Sequence, residues 1–229
     1  MTTASHYCKD DADCLLIVEG KDDCHCIYQV AAQSGCQTLF GLWEGGSDEG
    51  ALNRFGGLLI APASQRPRIL GIVLDSAILD GSVSSGLARR WAQIRDRLLN
   101  FNFKVPEQPF PGGTIIQGPD GFPKIGIWLM PDNQTEGMLE DFLMRLVPRS
   151  AADYAKACVR KAKDQGHGNY KECHEAKAVA HTYLAWQDEP GKPLGLAIKS
   201  RQFDTNSQYA VDFVAWLRSL FDAPNQAST

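Results

Sequence analysis

The sequence predicts an α/β fold built on a central, mostly parallel sheet, and three observations predict it. Short apolar runs alternate with amphipathic stretches through the first ~145 residues, the pattern of βαβ units. Three of those runs, at 14–18, 68–74 and 124–130, carry no charge beyond their first residue, as strands covered on both faces do. The segments between them are long enough for the crossovers that parallel pairing requires.

Taken in order, Cys14-Leu-Leu-Ile-Val18 reads as a buried strand ending at Glu19-Gly20. Asp22 is positioned to cap a helix running through Cys24 to about Ser34. A second strand is expected at 37–43, then Gly45-Gly46-Ser47 and a helix to about Ile60. Arg68–Leu74 is the clearest strand, with Asp75 at its carboxyl end. Leu87, Trp91, Ile94 and Leu98 form one stripe of a helix over about 87–100. A Pro/Gly-rich stretch, 105–123, encloses a short strand at 114–117, and 124–130 is a further strand closed by Pro131-Asp132-Asn133. A helix over 137–147 ends at Pro148.

Beyond Pro148 no strand pattern remains. The expected organisation is an α/β core over 1–147 and a helical extension over 148–229 packed on it, with helices at 151–163, 171–186, 194–201 and 209–221.

The 229 residues carry 44% hydrophobic and 22% charged side chains, ordinary for a globular protein. The net charge of −4 argues against a surface that is basic throughout, and leaves room for a local basic groove. No apolar run is long enough to span a bilayer, and the first residues lack the basic and apolar segments of a signal peptide, so a cytoplasmic protein with no membrane partner is expected. Seven cysteines at irregular spacing fit reduced thiols better than a disulfide framework. Cys24-His25-Cys26 and Cys173-His174 fall at spacings that point in different directions on a helix, poor geometry for zinc.

In parallel sheets ligands bind beyond the carboxyl ends of the strands. Acidic residues collect there: Glu19 after the first strand, Asp75 after the third, Asp132 after the late one, with Asp23 four residues beyond Glu19, and Glu140 and Asp141 on the following helix. Each alone reads as a solvated group or a cap, and Asp22 and Asp132 in particular as caps. Together they would repel one another unless a cation sat among them. Mg²⁺ (or Mn²⁺) takes oxygen ligands and keeps several waters, so a few carboxylates suffice.

Leu16-Ile-Val-Glu-Gly-Lys-Asp-Asp23 resembles the first motif of the Toprim domain, and Gly71-Ile-Val-Leu-Asp75 its second. Leu129-Met-Pro-Asp-Asn133 followed by Gly137-Met-Leu-Glu-Asp141 is similar to bacterial Toprim-like proteins of an uncharacterised family related to OLD-type nucleases. The resemblance implies a Toprim-like fold and Mg²⁺-dependent phosphodiester chemistry on DNA or RNA. Under it, Glu19 is a metal ligand or general base, Asp75 the second anchor, and Asp23 with Glu140 or Asp141 completes the metal set. Lys177, on a later helix, would offset phosphate charge. Where the second motif carries Asp-x-Asp, this chain reads Asp75-Ser76-Ala77, with a methyl group in place of one carboxylate; Asp80 is the nearest substitute. A catalytically impaired binding module that acts with a partner, such as a separate ATPase, is therefore the alternative. No Gly-x-x-x-x-Gly-Lys-Ser/Thr loop exists in the chain. Gly45-Gly46-Ser47 could be offered as a phosphate loop for a small-molecule phosphotransfer enzyme, but reads first as a turn and N-cap.

Overall fold

The computed structural model describes residues 12–77 and 86–222, so Asp80 lies outside the described residues. Five strands form one sheet: β1 (Cys14–Val18), β2 (Gly41–Glu44), β3 (Ile69–Asp75), β4 (Thr114–Ile116) and β5 (Lys124–Met130). Their spatial order is β2-β1-β3-β5-β4. β2, β1, β3 and β5 run parallel, and β4 pairs antiparallel with β5 at the edge. The helices are α1 (Lys21–Gln33), α2 (Asp48–Ile60), α3 (Gly86–Leu99), α4 (Leu139–Met144), α5 (Arg149–Asp164), α6 (Glu175–Leu184), α7 (Leu194–Lys199) and α8 (Gln208–Phe221). The fold is thus α/β, with a mostly parallel sheet flanked by helices.

The unbroken apolar runs have a direct cause: both faces of the sheet are covered. Alternate side chains of a strand point to opposite faces. Leu15 and Ile17 of β1, with Leu70, Ile72 and Leu74 of β3, pack on one side against Leu52 and Phe55 of α2 and Trp91 and Ile94 of α3. Leu16, Val18, Val73, Trp128 and Met130 face the other way, into a core shared with α1 and with residues from α4 through α8.

On that second face the register sets Gly71 of β3 directly beside Gly126 of β5. α8 lies over this pair. A Cβ on Gly126 would stand 2.1 Å from Leu220 Cδ2, and one on Gly71 would stand 2.6 Å from Leu16 Cδ1 and 3.1 Å from Leu220 Cδ2. Leu220 is fully buried, so it has little room to yield. Lys124 at the start of β5 donates its ammonium protons to the carbonyls of Ser219 and Leu220, satisfying the last turn of α8 with a cation at its negative end.

Several boundaries differ from those read in the sequence. β2 is confined to the four residues that pair with Leu15–Val18; before it, Leu39 bonds back to the Cys36 carbonyl in a turn. α1 begins at Lys21, and its cap is Asp23 rather than Asp22: Asp23 Oδ2 accepts the Gly20 N–H at 3.1 Å, while Asp22 is exposed. α4 is shorter than 137–147 because Gly137 is committed elsewhere, its carbonyl accepting from the Ser76 N–H and its own N–H donating to Ser76 Oγ. The stretch expected as one helix over 171–186 opens with a 3₁₀ turn, Glu172–His174, before α6.

Candidate carboxylate site at the strand ends

Glu19 leaves the end of β1 and Asp75 ends β3, so the parallel pairing of these strands brings both acids to one edge of the sheet. They touch through the backbone: Asp75 N–H donates to Glu19 Oε1 at 2.8 Å. The Asp75 carboxylate reaches onward, its Oδ1 accepting the Leu139 N–H at the start of α4 at 2.9 Å. Asp23, the cap of α1, is the third member. Glu140, on the first turn of α4 and only 4% exposed, is the fourth.

The charges of this set act on one another. Glu19 is pushed up to about 7, first by burial and then by the charges of Asp23 and Asp48, against the Asp75 N–H and the Arg90 guanidinium. Asp23 is pushed up to about 6 by burial and by Glu140, against N–H bonds from its own backbone and Gly20. Burial, then Glu19, Asp23 and Glu140 together, hold Asp75 well above the usual carboxylate range. Burial also raises Glu140, opposed by its backbone N–H and by Lys177, whose Nζ lies 3.9 Å from Glu140 Oε1. Lys177 itself is exposed on α6 at the rim of the set.

Asp141 stands at the margin of the set: its charge adds to the rise of Glu140, but its carboxylate is engaged elsewhere. Successive helix positions point about 100° apart, and Asp141 turns away to cap α4, its Oδ2 accepting the Met138 N–H at 2.9 Å. Burial raises Asp141, and Arg145 and Lys156 oppose that rise. It lines a separate cleft of about 340 Å³ with Arg145, Lys156 and Glu175. Asp132 also serves elsewhere. Its Oδ1 accepts from the N–H groups of Gln134 and Thr135, and its Oδ2 pairs with Arg145. Burial works to raise Asp132, but these donors outweigh it and hold it below the ordinary value.

Three residues central to the edge were missed in the sequence. Arg90 is 6% exposed; its Nε donates to the Asp75 carbonyl at 3.0 Å and its Nη2 to Asp48 Oδ2 at 2.6 Å. The signal was available, since position 90 lies three after Leu87 and four before Ile94, inside the apolar stripe of α3. Asp48, which burial would raise, is held low by Arg90. Ser76, fully buried, donates from Oγ to the Met130 carbonyl at 2.6 Å and receives the Gly137 N–H, tying the end of β3 to the loop before α4.

Gly45-Gly46-Ser47 forms the turn and cap expected of it: Gly46 has φ +73°, and Ser47 Oγ accepts the Gly50 N–H. Cys24 and Cys26 are buried in the core.

Hard oxygen donors under mutual repulsion suit Mg²⁺, which needs only one or two protein carboxylates and completes its shell with water and substrate oxygens. Among the described residues, no group of three or more His, Cys, Asp or Glu is arranged so that it could hold a metal ion. Among the described residues no helix is long and apolar enough to cross a membrane.

Compared with protein-family models, residues 13–222 match the one described as protein of unknown function (DUF3226). Neither the curated proteins nor the solved structures contain a match to this chain.

Proposed function

Since this chain belongs to the DUF3226 family over residues 13–222, we propose, from its own chemistry, that it is a Mg²⁺- or Mn²⁺-dependent enzyme acting on phosphodiesters of DNA or RNA, built on a Toprim-like core. One observation carries the reading. Glu19, Asp23, Asp75 and Glu140 come from three separate segments to one sheet edge and raise one another's affinity for protons, a repulsion that a divalent cation would relieve.

Glu19 and Asp75 would hold the cation, with Asp23 and Glu140 on its flank. When bound, the cation would polarise the phosphoryl oxygens of the substrate. Where Glu19 serves instead as general base, with Asp75 holding the cation, its carboxylate, raised to about 7 when no cation is bound, would accept a proton at neutral pH. Lys177, exposed beside Glu140, is placed to offset charge on the phosphate. Arg90 holds the Asp75 backbone in place from beneath. A reducing, cytoplasmic setting suits the six free cysteines among the described residues.

Ala77 favours a second reading. It follows Asp75 and Ser76 at the sheet edge, where the Toprim pattern carries another carboxylate. A chain lacking that ligand could serve as a binding module for a partner such as a separate ATPase.

The test is calorimetric titration with Mn²⁺ and Mg²⁺, together with cleavage of labelled DNA and RNA, for wild type, Glu19→Gln and Ala77→Asp. We expect weak metal-dependent cleavage in wild type, loss of binding and cleavage in Glu19→Gln, and gain of both in Ala77→Asp. Cleavage that survives Glu19→Gln would remove the enzyme reading from this site. Metal binding without cleavage in all three proteins would favour the binding module.

A further inference from the structure

α5 and α6 lie antiparallel. Arg160 pairs with Glu175 at 3.3 Å and Lys163 with Glu172 at 3.6 Å toward one end. At the other end Tyr154 and Trp186 meet with ring centroids 5.3 Å apart and planes tilted by 46°. Both rings stand in solvent, Tyr154 64% exposed and Trp186 48%. Two large aromatic rings in contact with each other and open to water form a contiguous apolar patch, the kind of surface that marks interaction sites.

The local charge says what would cover them. The chain as a whole is at −4; α5 carries Arg149, Lys156, Arg160, Lys161 and Lys163 against Asp153 and Asp164, and of these cations Arg149 pairs with Asp153, Arg160 with Glu175 and Lys163 with Glu172, which leaves two lysines. Lys156 and Lys161 are exposed and in no ion pair among the described residues. Protein interfaces are depleted in lysine, whereas phosphate backbones draw on it. Every nucleobase has a π-face, so exposed aromatic rings beside cations suit an unpaired strand without regard to its sequence.

We propose that Tyr154 and Trp186 form a stacking platform for the unpaired bases of a single-stranded nucleic acid whose backbone is held by the lysines of α5. This rests on the reading of the carboxylate edge as a phosphodiester site, and it names the form of substrate that site would receive. α6 links the two: Lys177 stands at the carboxylate edge and Trp186 lies nine residues further along the chain. α6 ends at Leu184 and Trp186 sits in the turn just beyond it, so at about 1.5 Å per residue the helical part spans roughly 11 Å, or about three stacked nucleotides at ~3.4 Å each. A strand stacked on the platform therefore needs only a short run to present a phosphate at Glu140 and Lys177.

The experiment is fluorescence anisotropy of a labelled oligothymidine of about 12 nucleotides, titrated with the full chain in EDTA, so that no divalent cation takes part. Trp186→Ala and Tyr154→Ala are each expected to weaken binding about tenfold, with Trp186→Phe close to wild type and Lys161→Gln lowering the salt dependence. Both rings are exposed, so thermal melts of the variants should match wild type; this separates lost stacking from lost folding. Wild-type affinity in both alanine variants would overturn the proposal. So would equal binding of a duplex of the same length, since paired bases offer no faces. Binding in EDTA that depends on Trp186 but is accompanied by no metal-dependent cleavage would keep the platform and remove the nuclease reading. Cleavage whose KM is unchanged by Trp186→Ala would do the reverse.

Discussion

Glu19 accepts the backbone N–H of Asp75 at 2.8 Å, so these two acids at the sheet edge are joined by a hydrogen bond that favours a charged Glu19 and that a neutral amide oxygen can also accept. Glutamine preserves this bond and removes the repulsion; alanine removes both and leaves the Asp75 N–H without its acceptor, at a cost of about 1–3 kcal/mol. In EDTA at about pH 8, Glu19→Gln should therefore melt at or above wild type and Glu19→Ala clearly below Glu19→Gln. Calorimetric melts would show it. Equal melting of the two variants would mean the bond carries no weight.

Glu19 at about 7 and Asp23 at about 6 bind protons more tightly in the folded chain than at their ordinary values of 4.5 and 3.8. The stability they contribute is complete below those ordinary values and is lost as pH rises through 6 and 7. Asp48 and Asp132, held low, act in the opposite sense: their contribution is lost as pH falls below 3.8. Without metal, the melting temperature should fall by roughly 5 °C between about pH 5.5 and pH 8, and added Mg²⁺ should recover much of that loss at the higher pH. A melting temperature indifferent to pH and to Mg²⁺ across this window would count against a shared cation site.

Arg90→Met keeps the bulk of the side chain while leaving the Asp75 carbonyl and Asp48 without their shared donor. With the guanidinium buried and Asp48 partly in solvent, the expected loss is about 2 kcal/mol in chemical denaturation. Arg90→Lys, which cannot span both partners in the same fork, should recover only part of it. A neutral Arg90→Met would show that the strand end is held by its other ties, through Glu19, Leu139 and Ser76.

Gly126→Ala should destabilise by about 2 kcal/mol, because its methyl group enters the space of buried Leu220. Gly57→Ala is the contrasting case: it lies exposed within α2 with nothing within 4 Å of a new Cβ, and should stabilise by about 0.5–1 kcal/mol. The pair can be measured side by side by urea denaturation. The same sign for both would undo the argument that α8 is seated on the paired glycines.

The strands were legible where burial on both faces erased polarity, as in β1, β3 and β5. They were not where pairing alone set the limit, as in β2, whose length follows from the four residues of β1 it meets. The collection of Glu19, Asp23, Asp75 and Glu140 at one edge was legible because strand polarity puts carboxyl ends together. The choice between Glu140 and Asp141 was not: adjacent acids differ only in the phase of a helix whose start depends on Ser76, a contact across 61 residues. The place of Arg90 inside the apolar stripe of α3 was legible, but its partners, Asp48 and the Asp75 carbonyl, were not, because they come from elsewhere in the fold.

The seat of α8 on Gly71 and Gly126 also bears on how the chain is made. These glycines face a helix whose contacting residue, Leu220, lies 149 and 94 positions later in the sequence. On a ribosome, Leu16, Val73 and Trp128 would emerge long before α8, leaving that side of the central strands with α1 as its early cover. Such non-local closure is slow and exposes sticky surface in the interval. Chain synthesis would thus pass through a stage in which chaperone protection matters, ending only when residues 208–221 dock.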